Sequence, residues 1–213
     1  MLPSLFWLVT LKRTTDHTVP EEWLMVNLVP SVHGWVVHHA PPLDALLIGI
    51  SGLGSGWFVG LAFAGAGLLA LSRGRTDLAL VLAAGVLAFP MEWALKYFTT
   101  IPAISPAQLV RAMLNVHDVG LDDLADFPAG HALRSTVFYG LAAFCLARLS
   151  VQHQRGMWAY ALAAGLVLAI SLIRIYLGAH YPMDVLGGWM AGGALLSVIV
   201  AVYILAVDER IRA

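Results

Sequence analysis

Apolar residues in this chain run in long blocks separated by short polar interruptions, rather than alternating with polar ones. A helix that crosses a bilayer needs roughly 20 apolar residues. Five blocks meet that length, at residues 43–71, 77–98, 130–149, 157–177 and 184–207. The first carries Gly49, Gly52, Gly54, Gly56 and Gly60, small positions that let another helix approach closely. The second contains Pro90, which predicts a kink, because proline lacks an N–H and crowds the carbonyl four residues earlier.

Upstream the pattern changes. Residues 19–39 mix Glu21, Glu22, Asn27, His33, His38 and His39 with Trp23, Leu24, Val26, Trp35 and Val36. This reads as a helix lying in the headgroup layer, interrupted at Pro30 and ended by Pro41-Pro42. Residues 2–11 form an apolar patch followed by Lys12-Arg13, too short to span and without the flanks of a secretory leader, so an interfacial anchor or a partial helix. Residues 99–128 make the one long polar loop. The expected fold is all-α, an integral membrane helical bundle of five to six transmembrane helices with an N-terminal interfacial helix. Residues 1–42 are the interfacial segment and 43–207 the transmembrane domain.

Composition sharpens the membrane reading. Of 213 residues, 60% are hydrophobic and 12% charged, with a mean hydropathy of +0.80; soluble domains carry about a quarter charged residues. The net charge of -1 gives no signal for a nucleic-acid partner. Cys145, the lone cysteine, sits in an apolar block and reads as a small hydrophobe. Arg73, Arg75, Arg148, Arg155, Arg210 and Arg212 fall at turns on one face, which the positive-inside rule makes cytoplasmic. Trp23, Trp35, Trp57, Trp93, Trp158 and Trp189 lie near segment ends, as headgroup-belt residues do.

The candidate chemistry falls on the opposite face. Arg174, His180 and Asp184 lie within eleven residues at the junction of the last two blocks, and ionisable residues at such a place point to function. Lys96 closes the second block and His131 opens the third, after Gly130. A helix start favours an anion. If the last helix begins at Pro182, His180 and Asp184 are about one turn apart. Attack on a phosphoester needs a nucleophile, cations for the developing oxygen charge, and an acid for the leaving oxygen. His180 held by Asp184 suits the nucleophile, Arg174 the forked donor and His131 the acid. Lys96 either adds a point charge to the phosphate or pairs with Glu92 four residues earlier. The scheme needs no metal and no cofactor. His33, His38 and His39 lack companions at ligand spacing and read as surface histidines. Asp118, Asp122, Asp123 and Asp126 read as a solvated loop.

These residues resemble the type 2 phosphatidic acid phosphatase superfamily of membrane lipid phosphatases, over the chain from about Pro41 to Val207. The family's third motif, Ser-Arg-x5-His-x3-Asp, is matched by Ile173-Arg174-x5-His180-x3-Asp184, with Tyr176, Gly178, Tyr181 and Pro182 also typical. The second, Pro-Ser-Gly-His, is matched by Pro128-Ala129-Gly130-His131. The resemblance implies His180 as phosphoryl acceptor, Asp184 as its orienter, His131 as proton donor, and Gly130, Arg174 and Lys96 as phosphate holders. It departs in two places. The first motif, Lys-x6-Arg-Pro, has Ala103 and Ile104 after Lys96, and the second-motif serine is Ala129. Arg134, one turn beyond His131, or Arg111 is a candidate replacement for the missing arginine.

The expected function is a lipid phosphatase of the inner (plasma) membrane, its site on the extracytoplasmic face, its partners a lipid phosphate and the bilayer. The substrates implied are undecaprenyl pyrophosphate first, then phosphatidylglycerophosphate or phosphatidic acid. A second reading is a lipid-binding or transport protein on the same scaffold, weakened catalytically by Ala129, Ala103 and Ile104.

Overall fold

Glycine, serine and proline decide where the helices break. In the computed structural model, which describes residues 23–99, 127–150 and 153–212, a π-helical turn (Leu24–Leu28) leads into α1 (Val29–His39). Then follow α2 (Pro41–Gly52), α3 (Gly56–Ser72), α4 (Thr76–Gly85) and α5 (Ala88–Thr99). The last three are α6 (Gly130–Leu149), α7 (His153–Tyr176) and α8 (Pro182–Arg212). The expectations for the 2–11 patch, Lys12-Arg13, Ala103, Ile104, Arg111 and the four loop aspartates fall outside the described residues.

The first apolar block, expected as one helix, is two. α2 and α3 meet at a 53° bend. Gly52 and Gly54 are poor helix formers, and the Ser55 side chain accepts a hydrogen bond from the Phe58 N–H (3.3 Å), starting a new helix. Of the five glycines expected at close helix contacts, only Gly54 is closely packed: a Cβ there would lie 2.8 Å from Ile170 Cγ2 and 3.2 Å from His131 Cδ2. Gly49 and Gly52 face open space, and Gly56 and Gly60 make ordinary contacts with Phe89.

α4 and α5 form one span, Thr76–Thr99, with a break in the helix one turn before Pro90. Pro90 has no N–H for the Val86 carbonyl, and around that carbonyl the ladder tightens, Val86 bonding Ala83 and Phe89 bonding Val86 at 3.1 Å each. With Gly130–Leu149, Gln154–Tyr176 and Pro182–Ala206 this gives four continuous spans among the described residues, and five when the bent α2–α3 pair counts as one. α8 continues as helix beyond the expected end of its apolar block at residue 207, to Arg212.

The bundle is built around α6, which packs against α3, α4, α5, α7 and α8. Leu133, Val137 and Leu141 of α6 meet Val59 and Phe63 of α3, Leu78 and Val81 of α4, and Ile199 of α8 in one apolar core. Outward-facing Leu61, Leu68, Leu80, Leu162 and Leu205 are exposed, an apolar exterior that lipid covers. This is a multi-pass membrane protein. At the end away from the candidate site, Arg75 makes two hydrogen bonds to Asp77, Tyr203 donates to the same carboxylate, and Arg148 lies over the Tyr203 ring.

α1 docks through Val29, His33 and Val36, leaving Trp23 and Trp35 exposed. His33, expected at the surface, is instead buried against Asp44 (3.3 Å) and the edge of the Tyr176 ring. Tyr176 donates a hydrogen bond to Asp44 Oδ1 at 2.8 Å, so α1, α2 and α7 share one polar joint. Its pairing partners lie far apart in sequence, beyond the reach of periodicity. Trp189, expected in the headgroup belt, donates to Ser171 Oγ at 2.9 Å and joins α8 to α7. Replacing Tyr176 by phenylalanine removes a hydrogen bond to a charged acceptor and is expected to destabilise the protein by about 1–2 kcal/mol. A drop in thermal unfolding temperature in detergent checks this; an unchanged value would place the docking of α1 on its apolar contacts alone.

Candidate active site

The stretch from Arg174 to Asp184 is shaped by two helix caps with one residue between them. α7 ends in a Schellman motif: Gly178 takes φ +67, its N–H bonds the Ile175 carbonyl and the Ala179 N–H bonds the Arg174 carbonyl, each at 2.9 Å. Glycine is required there because a side chain disfavours that backbone region. α8 starts with Tyr181 as its cap, Pro182 in the first helical position and Asp184 in the third. The Asp184 Oδ2 accepts from the Tyr181 N–H at 3.0 Å, the acidic half of a capping box. His180 lies between the two caps, so its backbone is fixed from both sides.

Burial follows. His180 and Asp184 are 0% and 1% exposed, and Arg174 is 4% exposed. The helix does begin at Pro182 as expected, and Asp184 holds the turn that carries His180. The Ala129 N–H bonds the Asp184 carbonyl at 2.9 Å, which seats the start of α6 on the start of α8. Ala129 is the cap residue of α6 and supplies no side-chain cap bond, so the hydroxyl missing from the sequence motif is missing here too.

Around the start of α6 the charged residues assemble. Gly130 and His131 form its first turn and Arg134 its second. Arg134, a candidate replacement for the missing arginine, is buried and points inward to Glu92 of α5, with Nε 3.5 Å from the Gly54 carbonyl. Glu92 also takes Lys96 Nζ at 3.1 Å, the i,i+4 pairing considered for Lys96 beside a phosphate role. Gly130 is packed so closely that a Cβ would collide with Glu92 Oε1 and come within 2.9 Å of Arg134 Nη1. Thr99, at the end of α5, donates to the Phe127 carbonyl at 2.7 Å and ties this helix end to the strand of chain before α6.

The structure therefore brings Glu92, Lys96, Gly130, His131 and Arg134 into one cluster, with Gly54 against His131. Arg174, His180 and Asp184 join it at the same end of the bundle through the Ala129–Asp184 bond. Sequence reasoning placed Gly54 at a helix contact without linking it to His131, and missed the bond between Glu92 and Arg134. The signal for the latter was a buried carboxylate on an apolar helix, which requires a cation. Chemically, a buried histidine on a capped turn, a second histidine at a helix start and a set of arginine and lysine cations suit an anionic ester better than a redox or metal-dependent reaction.

Comparison with known proteins gives a family and a fold. A family model described as "PAP2 superfamily" matches residues 75–207. Phosphatidylglycerophosphatase B of Bacillus subtilis (strain 168) is 31% identical over 87 residues, which is 40% of this chain and 40% of that protein. The aligned stretch thus spans about two fifths of the relative's length. A crystal structure described as the first transmembrane PAP2 type phosphatidylglycerolphosphate phosphatase from Bacillus subtilis matches with a TM-score of 0.67. It covers 98% of this chain and 96% of that one at 23% identity, a likeness of fold.

Proposed function

Because this chain belongs to the PAP2 superfamily, we propose that it is a lipid phosphatase that works through a phosphohistidine at His180. The observation that carries the reading is the buried His180 on a turn clamped by Gly178 and Asp184, at the bundle end where Arg174, His131 and Arg134 gather. His180 attacks phosphorus as the ester O–P bond breaks, and His131 gives its proton to the leaving oxygen. Water then attacks the phosphohistidine as its N–P bond breaks and gives a proton back to His131, releasing phosphate and freeing His180. Arg174, the Gly130 N–H and Arg134 stabilise the charge on the phosphoryl oxygens, with Arg134 standing in for the arginine absent after Lys96. Lys96 contributes its charge through Glu92.

The substrate proposed first is phosphatidylglycerophosphate, the class named for the 31% identical relative, followed by undecaprenyl pyrophosphate and phosphatidic acid. By the positive-inside rule, the basic turns at Arg73, Arg75, Arg148 and Arg155 support a site-bearing end on the extracytoplasmic side of the plasma membrane. Purified protein in detergent is expected to release phosphate from phosphatidylglycerophosphate with or without a chelator. Release abolished by chelator would replace the histidine mechanism with a metal-dependent one. Lipid binding without release from any of the three would favour the binding or transport reading.

A further inference from the structure

Glu92 makes and breaks no bond in the scheme above, yet it sits among the residues that do the chemistry. Its side chain is 6% exposed, and its two oxygens take different cations: Oε1 faces Lys96 Nζ at 3.1 Å and Oε2 bonds Arg134. The same carboxylate packs against Gly130 in the first turn of α6. An anion thus already sits between two cations and a helix start, the surroundings that a phosphoryl oxygen needs. Glu92 thus cancels one unit of the positive charge that Lys96 and Arg134 bring to this place.

Resting on the reading of the chain as a lipid phosphatase, we infer that Glu92 sets how much negative charge the site accepts, and so selects lipid phosphomonoesters over lipid diphosphates. A terminal phosphomonoester brings at most two negative charges to the cluster, and the phosphodiester of phosphatidylglycerophosphate lies a glycerol unit away from it. A diphosphate adds a further anionic group that must lie beside a fixed buried carboxylate, and like charges repel strongly where water is excluded. Glu92 acts through Lys96 and Arg134 and through its own field. It is a positioning and specificity residue, with no bond made or broken at it.

The experiment compares kcat/KM for undecaprenyl pyrophosphate and phosphatidylglycerophosphate in the full-length protein and three variants. Glu92→Gln raises the net charge of the cluster by one, Arg134→Gln lowers it by one, and the double variant restores it. The ratio of diphosphate to monoester turnover is expected to rise about tenfold in Glu92→Gln and to fall by a similar factor in Arg134→Gln. In the double variant it returns to the wild-type value, whatever happens to the absolute rates. If Glu92→Gln does not fold, the wild type, Arg134→Gln and the double variant carry the same test. A purely structural role for Glu92 would depress both substrates together, and a ratio unchanged across the series overturns the inference alone. A wild-type protein that releases phosphate from neither lipid overturns the phosphatase reading and this inference with it.

Discussion

Replacing His180 by alanine is expected to lower phosphate release from phosphatidylglycerophosphate by roughly a thousandfold or more, because the attacking group is removed outright. His131→Ala should cost less, on the order of a hundredfold to ten-thousandfold, since water can protonate a leaving oxygen poorly but not nil. Asp184→Asn should be milder still: an amide oxygen can still accept the Tyr181 N–H, so the turn survives while the charge that steadies a histidine cation is lost. The order His180, His131, Asp184 is the content of this prediction. It is checked by steady-state release and by trapping the phosphorylated protein at alkaline pH, where wild type carries label and His180→Ala carries none. Full activity in His180→Ala with an unchanged unfolding temperature would remove this residue from the chemistry. His180 is fully buried, so the temperature must be measured alongside, to separate a lost nucleophile from a loosened fold.

How much of this was legible in the sequence depends on how local the cause is. The spans at 130–149 and 184–207 were readable because a run of apolar residues needs only its own length to declare a crossing helix, and α6 matches its expected bounds. The helix start at Pro182 and the turn at Gly178 were readable for the same reason, as caps are made by residues within a few positions. The bend between α2 and α3 was written in Gly52, Gly54 and Ser55, but there glycine has two meanings, helix packing and helix ending, and the sequence does not separate them. The polar joints were out of reach. Tyr176 finds Asp44 across 132 positions and Arg134 finds Glu92 across 42. Nothing in the spacing of either pair announces a partner. What was available is a rule of cost: a carboxylate or histidine on a helix embedded among apolar residues must be paired. Applied to Glu92 and His33, that rule predicts a hidden partner for each without naming it.

The same ambiguity of glycine gives the second large expected effect. On α8, Gly188 and Gly192 stand four residues apart, the small-xxx-small spacing that lets helix backbones meet, and both face α6. A Cβ at Gly188 would lie 2.6 Å from the Ala129 carbonyl oxygen, 2.9 Å from Ala132 Cβ and 3.1 Å from the Leu133 backbone nitrogen. At Gly192 it would lie 2.7 Å from the Leu133 carbonyl oxygen. Backbone atoms of a packed helix cannot rotate aside as a side chain can, so α6 and α8 would have to separate. Gly193, next in sequence, has nothing within 4 Å of its Cβ position. Alanine at Gly193 should therefore be neutral or stabilise by about 0.5–1 kcal/mol through helix propensity. Alanine at Gly188 gains the same propensity but is expected to destabilise by roughly 1–3 kcal/mol net through overpacking. Because Ala129 also holds the Asp184 carbonyl, moving α6 away from α8 should lower phosphate release as well as the unfolding temperature in Gly188→Ala, while Gly193→Ala leaves both intact. Equal behaviour of the two variants would mean that the contact between α6 and α8 has room for a methyl group, and that the seating of the α6 start on the α8 start rests on something other than this glycine pair.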